Sequence, residues 1–159
     1  MRVHIGGDHA AYELLNELVA FLEEEGHEVT NHGPHDYDAQ DDYPVFCLRA
    51  AEGVAADPGS LGIVLGGSGN GEQMAANKVA GIRAALCYNE ELARLAREHN
   101  NALVLSIGAR MNSSDEAKAM VRTFLGTEYS GETRHQRRID MLTAYERSGA
   151  LPPLPGSVD

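Results

Sequence analysis

Gly66-Gly67-Ser68-Gly69-Asn70-Gly71-Glu72 joins an apolar strand, a loop rich in backbone N–H groups and a carboxylate. Together these residue types suit proton abstraction beside a stabilised oxyanion. Leu61-Gly62-Ile63-Val64-Leu65 reads as a short buried strand, and the glycines that follow permit backbone conformations closed to other residues. Glu72 to Lys78 reads as helical, so amides at its N-terminal end attract negative charge. Two nucleotide motifs fail here at definite positions. A P-loop from Gly66 finds its second glycine at Gly71 but needs Lys and Ser or Thr where Glu72 and Gln73 stand. A dinucleotide fingerprint from Gly67 matches Gly69 but needs Gly or Ala at Glu72. A strand-to-helix turn with no chemistry competes with the catalytic reading, and Glu72 together with the polar clusters elsewhere shifts the balance.

Three such clusters stand out. Gly6-Gly7-Asp8-His9 follows a strand and opens a helix. Asp8 there either caps the helix or accepts a bond from a substrate hydroxyl, and His9 could donate to a phosphate oxygen. His99-Asn100-Asn101 is either an ordinary helix end or a site where a histidine moves a proton on a sugar ring oxygen. In Arg134-His135-Gln136-Arg137-Arg138, Arg134 and Arg138 share a helix face and could fork a phosphate between them. The alternative is a solvated face with salt bridges to Asp140 or Glu146. His27, His32, His35, Asp36 and Asp38 match no standard ligand spacing, so no metal is assigned.

These groups need a scaffold, and 159 residues suit one domain with a sizeable core. The formal net charge of −11 argues against nucleic-acid binding, so a phosphate site must rest on a few placed residues. No apolar run approaches membrane-spanning length, and Met1 to Gly6 enters a strand without a signal-peptide pattern. A cytoplasmic protein with no membrane partner is expected. Cys47 and Cys87 form no CxxC pair and read as buried thiols.

Apolar strands alternate with amphipathic helices, which gives an α/β class: a single-domain, Rossmann-like three-layer sandwich with a five-stranded parallel sheet and a C-terminal helix. Strands are expected over Arg2–Gly6, His27–Asn31, Leu61–Leu65, Ile82–Cys87 and Ala102–Ile107. Helices are expected over Ala10–Glu25, Pro44–Ala56, Glu72–Lys78, Glu90–His99, Ser114–Leu125 and Thr133–Arg147. Ligands of such sheets sit at the carboxyl ends of strands, which collects Asp8, His9, the 66–72 loop and Arg110 at one edge. His99 ends a helix just before a strand, placing it near the opposite edge, where a neighbouring subunit could use it. Residues 149–159 form a Pro-rich extended tail.

The segments Gly6-Gly7-Asp8-His9-Ala10, Gly66 to Gly71, Ala75-Ala76-Asn77-Lys78, His99-Asn100-Asn101 and Arg134 to Arg138, in this order across Arg2 to Arg147, resemble type B ribose-5-phosphate isomerase. That sugar-phosphate isomerase family also includes galactose-6-phosphate isomerase subunits, and the chain looks like its actinobacterial-type branch. The resemblance makes residues 1–148 the isomerase domain. It implies interconversion of ribose 5-phosphate and ribulose 5-phosphate in the non-oxidative pentose phosphate pathway, with no metal or other cofactor. It further implies a homodimer whose active sites combine both subunits, with a dimer of dimers as an open next level of assembly. Many members carry a cysteine base where Gly66 stands here, and the branch resembled uses a glutamate at Glu72.

By the same resemblance, Asp8 and His9 contact substrate, with His9 near the phosphate. Arg134 and Arg138 bind the phosphate, joined by Arg110 from the other subunit. His99 helps open the furanose ring, Asn100 holds a substrate oxygen and Tyr43 lines the sugar pocket. The amides of Gly67, Ser68, Gly69, Asn70 and Gly71 form the anion hole, and Ser68 passes a proton between O1 and O2. Two alternatives remain, a six-carbon substrate such as allose 6-phosphate and a nucleotide-binding regulatory module.

Overall fold

The computed structural model describes residues 1–156. In chain order the elements are β1 (Arg2–Gly7), α1 (Tyr12–Glu24), β2 (Glu28–Asn31), α2 (Tyr43–Ala56), β3 (Leu61–Gly66), α3 (Asn70–Ala76), β4 (Ala84–Leu86), α4 (Glu90–Asn100), β5 (Val104–Gly108), α5 (Ser114–Gly126) and α6 (Thr133–Ser148). The five strands are all parallel in the order β2-β1-β3-β5-β4. From β1 the chain goes outward to β2, and from β3 it crosses to the other side. The loops after β1 and β3 therefore part at the centre of the sheet, where such folds leave a crevice.

The two sheet faces differ in the side chains they offer. Val3 and Ile5 of β1, Leu61, Ile63 and Leu65 of β3, and Leu105 and Ile107 of β5 pack against α1, α4 and α5. The opposite face carries Gly6, Gly62, Val64, Gly66 and Val104 beneath α2 and α3. A methyl at Gly6 would lie 2.8 Å from the Phe46 carbonyl oxygen, and one at Gly62 would lie 2.8 Å from Val54 Cγ2. Glycine thus lets α2 approach the sheet more closely than any side chain would allow.

Local signals fix most of the boundaries. Asn89 caps α4 by accepting from the Leu92 N–H, and Ser113 with Glu116 forms a full capping box at α5. Pro44 occupies the first turn of α2, and Gly26 follows α1 with φ of +83°. Four expected elements shift: α3 runs over Asn70–Ala76 rather than Glu72–Lys78, β5 over Val104–Gly108 rather than Ala102–Ile107, and the starts of α1 and β4 move inward. Asp8 first caps a short 3-10 turn over His9–Ala11, so α1 begins at Tyr12 rather than Ala10. β4 covers only Ala84–Leu86, because Ile82 turns into the α2/α3 core and its N–H closes a turn on Val79. Gly149 ends α6 in a left-handed conformation, and residues 151–156 are exposed and form neither helix nor strand. The last residues of the expected tail, 157–159, lie outside the described residues. No helix among the described residues is long and apolar enough to cross a membrane.

Candidate active site

The carboxyl ends of β1, β3 and β5 and the start of α2 enclose a cavity of about 480 Å³ lined by Asp8, His9, Ala10, Tyr43, Gly67, Ser68, Gly71, Glu72, Arg110 and Met111. Main-chain bonds lock its walls together. The Asp8 N–H donates to Leu65 O, and the N–H groups of Ala109 and Arg110 donate to the carbonyls of Gly66 and Gly67. Gly69, at φ of +81°, turns the chain into α3, and the buried Ser106 hydroxyl donates to its carbonyl at 2.7 Å. Asn70 and Ser68 stay exposed, with Asn70 donating to Ser68 Oγ from both its main-chain N–H and its amide. Tyr43 lies against Gly71, where a methyl would come within 2.6 Å of Cζ.

Glu72 is the more deeply buried of the two acids lining this cavity, with 4% of its surface exposed against 7% for Asp8. Its carboxylate covers Gly66 so closely that a methyl there would lie 1.9 Å from Oε1 and 2.1 Å from Cδ. Oε2 is buried with no hydrogen-bond partner among the described residues. Burial pushes the Glu72 carboxyl up from its ordinary value, and the charge of Asp8 adds to the push. The main-chain N–H groups of Glu72 and Gly69 partly offset both. The result is a carboxylate more basic than a solvated one, which suits it to accept a proton from carbon.

Asp8 is buried and its Oδ1 accepts from the Ala10 N–H at 3.0 Å, so it does cap the turn while still lining the cavity. His9 is held from a loop that the sequence left unassigned: its main-chain N–H donates to Asp41 Oδ1 at 2.9 Å, and Nδ1 lies 2.7 Å from the same oxygen. Nothing in the spacing marks Asp41, which sits in an acid-rich segment beside Asp36, Asp38 and Asp42. Among the described residues, Asp8, His9 and Asp41 are the group whose ligand atoms converge, within 4.8 Å of one another. Each already has a protein partner, since His9 and Asp41 engage each other and Asp8 engages Ala10.

The remaining expected residues lie elsewhere. His99 and Asn100 end α4 where it feeds the amino end of β5, and the His99 ring stacks on His135 of α6 at 4.3 Å between centroids. His135 is buried, and burial first, then the neighbouring His99, lowers its pKa. Arg134 and Arg138 extend from α6 into solvent; Arg134 pairs with Glu132 at 2.8 Å rather than with Asp140 or Glu146, and its side chain is 59% exposed. Arg110 belongs with His9 of its own chain, and the α6 arginines do not reach that cavity. Cys47 and Cys87 are both buried and free, and burial raises both thiols. His32 packs against His4, with Nε2 2.9 Å from His4 Nδ1, and both rings lie against Gly53 of α2.

Residues 3–142 match the family model described as Ribose/Galactose Isomerase. The chain belongs to that family. The family's ribose-5-phosphate isomerase B of Mycolicibacterium paratuberculosis is 56% identical over 158 residues, covering 99% of each chain. The Escherichia coli ribose-5-phosphate isomerase B is 39% identical over 92% of this chain and 97% of its own. In three dimensions, the Clostridium thermocellum family member superposes with a TM-score of 0.90 at 41% identity, covering 94% of this chain and 100% of its own. A Mycoplasma genitalium member solved with bound ribulose 5-phosphate gives 0.89 at 38% identity, covering 92% and 97%.

Proposed function

We propose that this chain interconverts ribose 5-phosphate and ribulose 5-phosphate through an enediolate, with Glu72 as the base. The observation that carries the reading is the buried Glu72 carboxylate, its Oε2 without a hydrogen-bond partner among the described residues, beside a glycine loop at the crevice of the sheet. A family relative 56% identical along the whole chain, and another crystallised with ribulose 5-phosphate, support the substrate.

In the open-chain aldose, Glu72 removes the C2 proton and returns it to C1. A proton passes from O2 to O1 by way of Ser68. Negative charge that develops on oxygen meets the N–H groups of Gly67 to Gly71, and a single such donor is typically worth ~10²–10³ in rate. The phosphate takes no part in bond breaking, so His9 and Arg110 act by holding C1 and C2 against Glu72. Tyr43 and Asp8 line the sugar path between them. Because the base must be ionised, turnover rises with pH as the raised Glu72 carboxyl loses its proton.

One chain supplies only part of this machinery. His99, Asn100, Arg134 and Arg138 lie at the amino-edge side, and Met141, Leu142 and Tyr145 of α6 are exposed beside them. We infer a homodimer in which α4 and α6 of one copy complete the carboxyl-edge cavity of the other: His99 opens the ring, Asn100 holds a substrate oxygen, and Arg134 and Arg138 close on the phosphate. Mixing two inactive variants, Glu72→Gln and His99→Asn, is expected to restore about a quarter of the parental activity, because half of the randomly formed dimers contain one intact site. Zero recovery after verified subunit exchange would show that each site is built from one chain.

The family model spans galactose as well as ribose substrates, so a six-carbon phosphate is the second reading. A coupled assay of ribose 5-phosphate against allose 6-phosphate decides between them. A preference for the longer sugar overturns the five-carbon assignment while leaving the chemistry at Glu72 in place.

A further inference from the structure

Asp41 touches the cavity residue His9, although Asp41 itself is not among the residues that line the cavity. Its side chain is 9% exposed. Oδ1 takes two hydrogen bonds from His9, and Oδ2 is buried with no hydrogen-bond partner among the described residues. A carboxylate so enclosed needs a compensating positive charge, and the His9 ring is the group that touches it.

The contact also decides what His9 can offer. With Nδ1 committed to Asp41, only Nε2 remains for a ligand. In the neutral ring bound this way, Nε2 carries a lone pair and repels a phosphate oxygen. In the imidazolium, both nitrogens donate, one to Asp41 and one outward. A phosphate therefore binds the charged ring, and that form depends on its partner.

We propose that Asp41 is a positioning residue that fixes the His9 ring and keeps it an imidazolium, so that Nε2–H is presented to the substrate phosphate. This rests on the assignment of a phosphorylated substrate made above. Asp41 reaches His9 from the loop before α2, Asp8 flanks it from the end of β1, and Arg110 approaches from the loop after β5. Tyr12, Glu13 and Tyr37 line the adjoining surface, and Arg134 and Arg138 join in the shared site. The hydrogen bond to Asp41 raises the His9 pKa above its ordinary value; burial works against it, and the Asp8 charge adds to the rise. For a cation whose pKa is raised, the benefit is present at low pH and is lost as pH climbs through the raised value. Phosphate affinity should therefore persist further toward alkaline pH than an isolated histidine would allow.

The test is a histidine NMR titration of the full chain without substrate, paired with kinetics on ribose 5-phosphate and isotherms with inorganic phosphate. In Asp41→Asn the His9 midpoint is expected to fall by about one pH unit. KM should rise about tenfold above neutrality, with kcat changed no more than about threefold. Asp41→Glu keeps the anion and should restore the midpoint, which separates charge from packing. An unchanged His9 midpoint in Asp41→Asn, or a loss confined to kcat, overturns the proposal. If the wild type fails to isomerise ribose 5-phosphate yet its phosphate isotherm weakens on Asp41→Asn, the substrate assignment falls and the role of Asp41 stands.

Discussion

Glu72→Gln is expected to lower kcat by about 10²–10⁴-fold, the usual worth of a positioned acid or base, while inorganic phosphate still binds with near-native affinity. The amide has the size and shape of the carboxylate, so the cover over Gly66 stays in place and the phosphate contacts proposed for His9 and Arg110 are untouched. What disappears is the acceptor proposed for the C2 proton. The same change should stabilise the fold at pH values above the Glu72 titration. Glu72 has its pKa raised by burial, so the folded state holds its proton more tightly than the unfolded chain does. That contribution is complete below the unfolded pKa and is lost as pH rises through the folded one. Once pH exceeds the raised folded value, the charged Glu72 costs stability, and glutamine removes that cost. A rise of about 2–4 °C in melting temperature corresponds to roughly 1 kcal/mol in a domain of this size. Near-normal kcat in this variant would take Glu72 out of the base role.

Gly66→Ala should be nearly as damaging to turnover, for a geometric reason. The added methyl would sit 1.9 Å from Oε1 and 2.7 Å from Oε2 of Glu72. The carboxylate is the far end of a flexible side chain, so it yields before the strand does. The protein should fold, with a melting temperature within a few degrees of wild type, while kcat drops about 10²-fold or more because the base has left its place. The diagnostic is non-additivity: Gly66→Ala combined with Glu72→Gln should be no slower than Glu72→Gln alone, since both act through one carboxylate. A double variant far slower than either parent would mean that Gly66 serves the reaction by another route.

How much of this was readable from the chain depended on whether the signal was local. The core of β3 was legible because an apolar run ends in a glycine cluster, and α5 because Ser113 and Ser114 offer a cap beside Asp115 and Glu116. Glu72 was legible as an acid where two phosphate motifs need something else. The start of α1 was misplaced by two residues because the Asp8 cap closes a 3-10 turn before the helix. β4 was overextended because its apolar residues divide between the sheet and the α2/α3 core. The hold of Asp41 on His9 was invisible, since it joins residues 32 apart that only the fold brings together. The cover of Glu72 over Gly66 was hidden for a related reason: six positions separate them, and a turn at Gly69 folds one back over the other.

Variation in this sequence is constrained unequally by the two helical layers. Beneath α1, α4 and α5 the sheet presents Val, Ile and Leu, and exchanges among these that conserve volume are usually tolerated. Beneath α2 and α3, hydrogen is the substituent at positions 6, 62 and 66, and the nearest obstacles are a main-chain oxygen, a branched valine and a carboxylate. A lineage could therefore rework the first layer residue by residue, whereas admitting a side chain at position 66 requires the acid at position 72 to move in the same step.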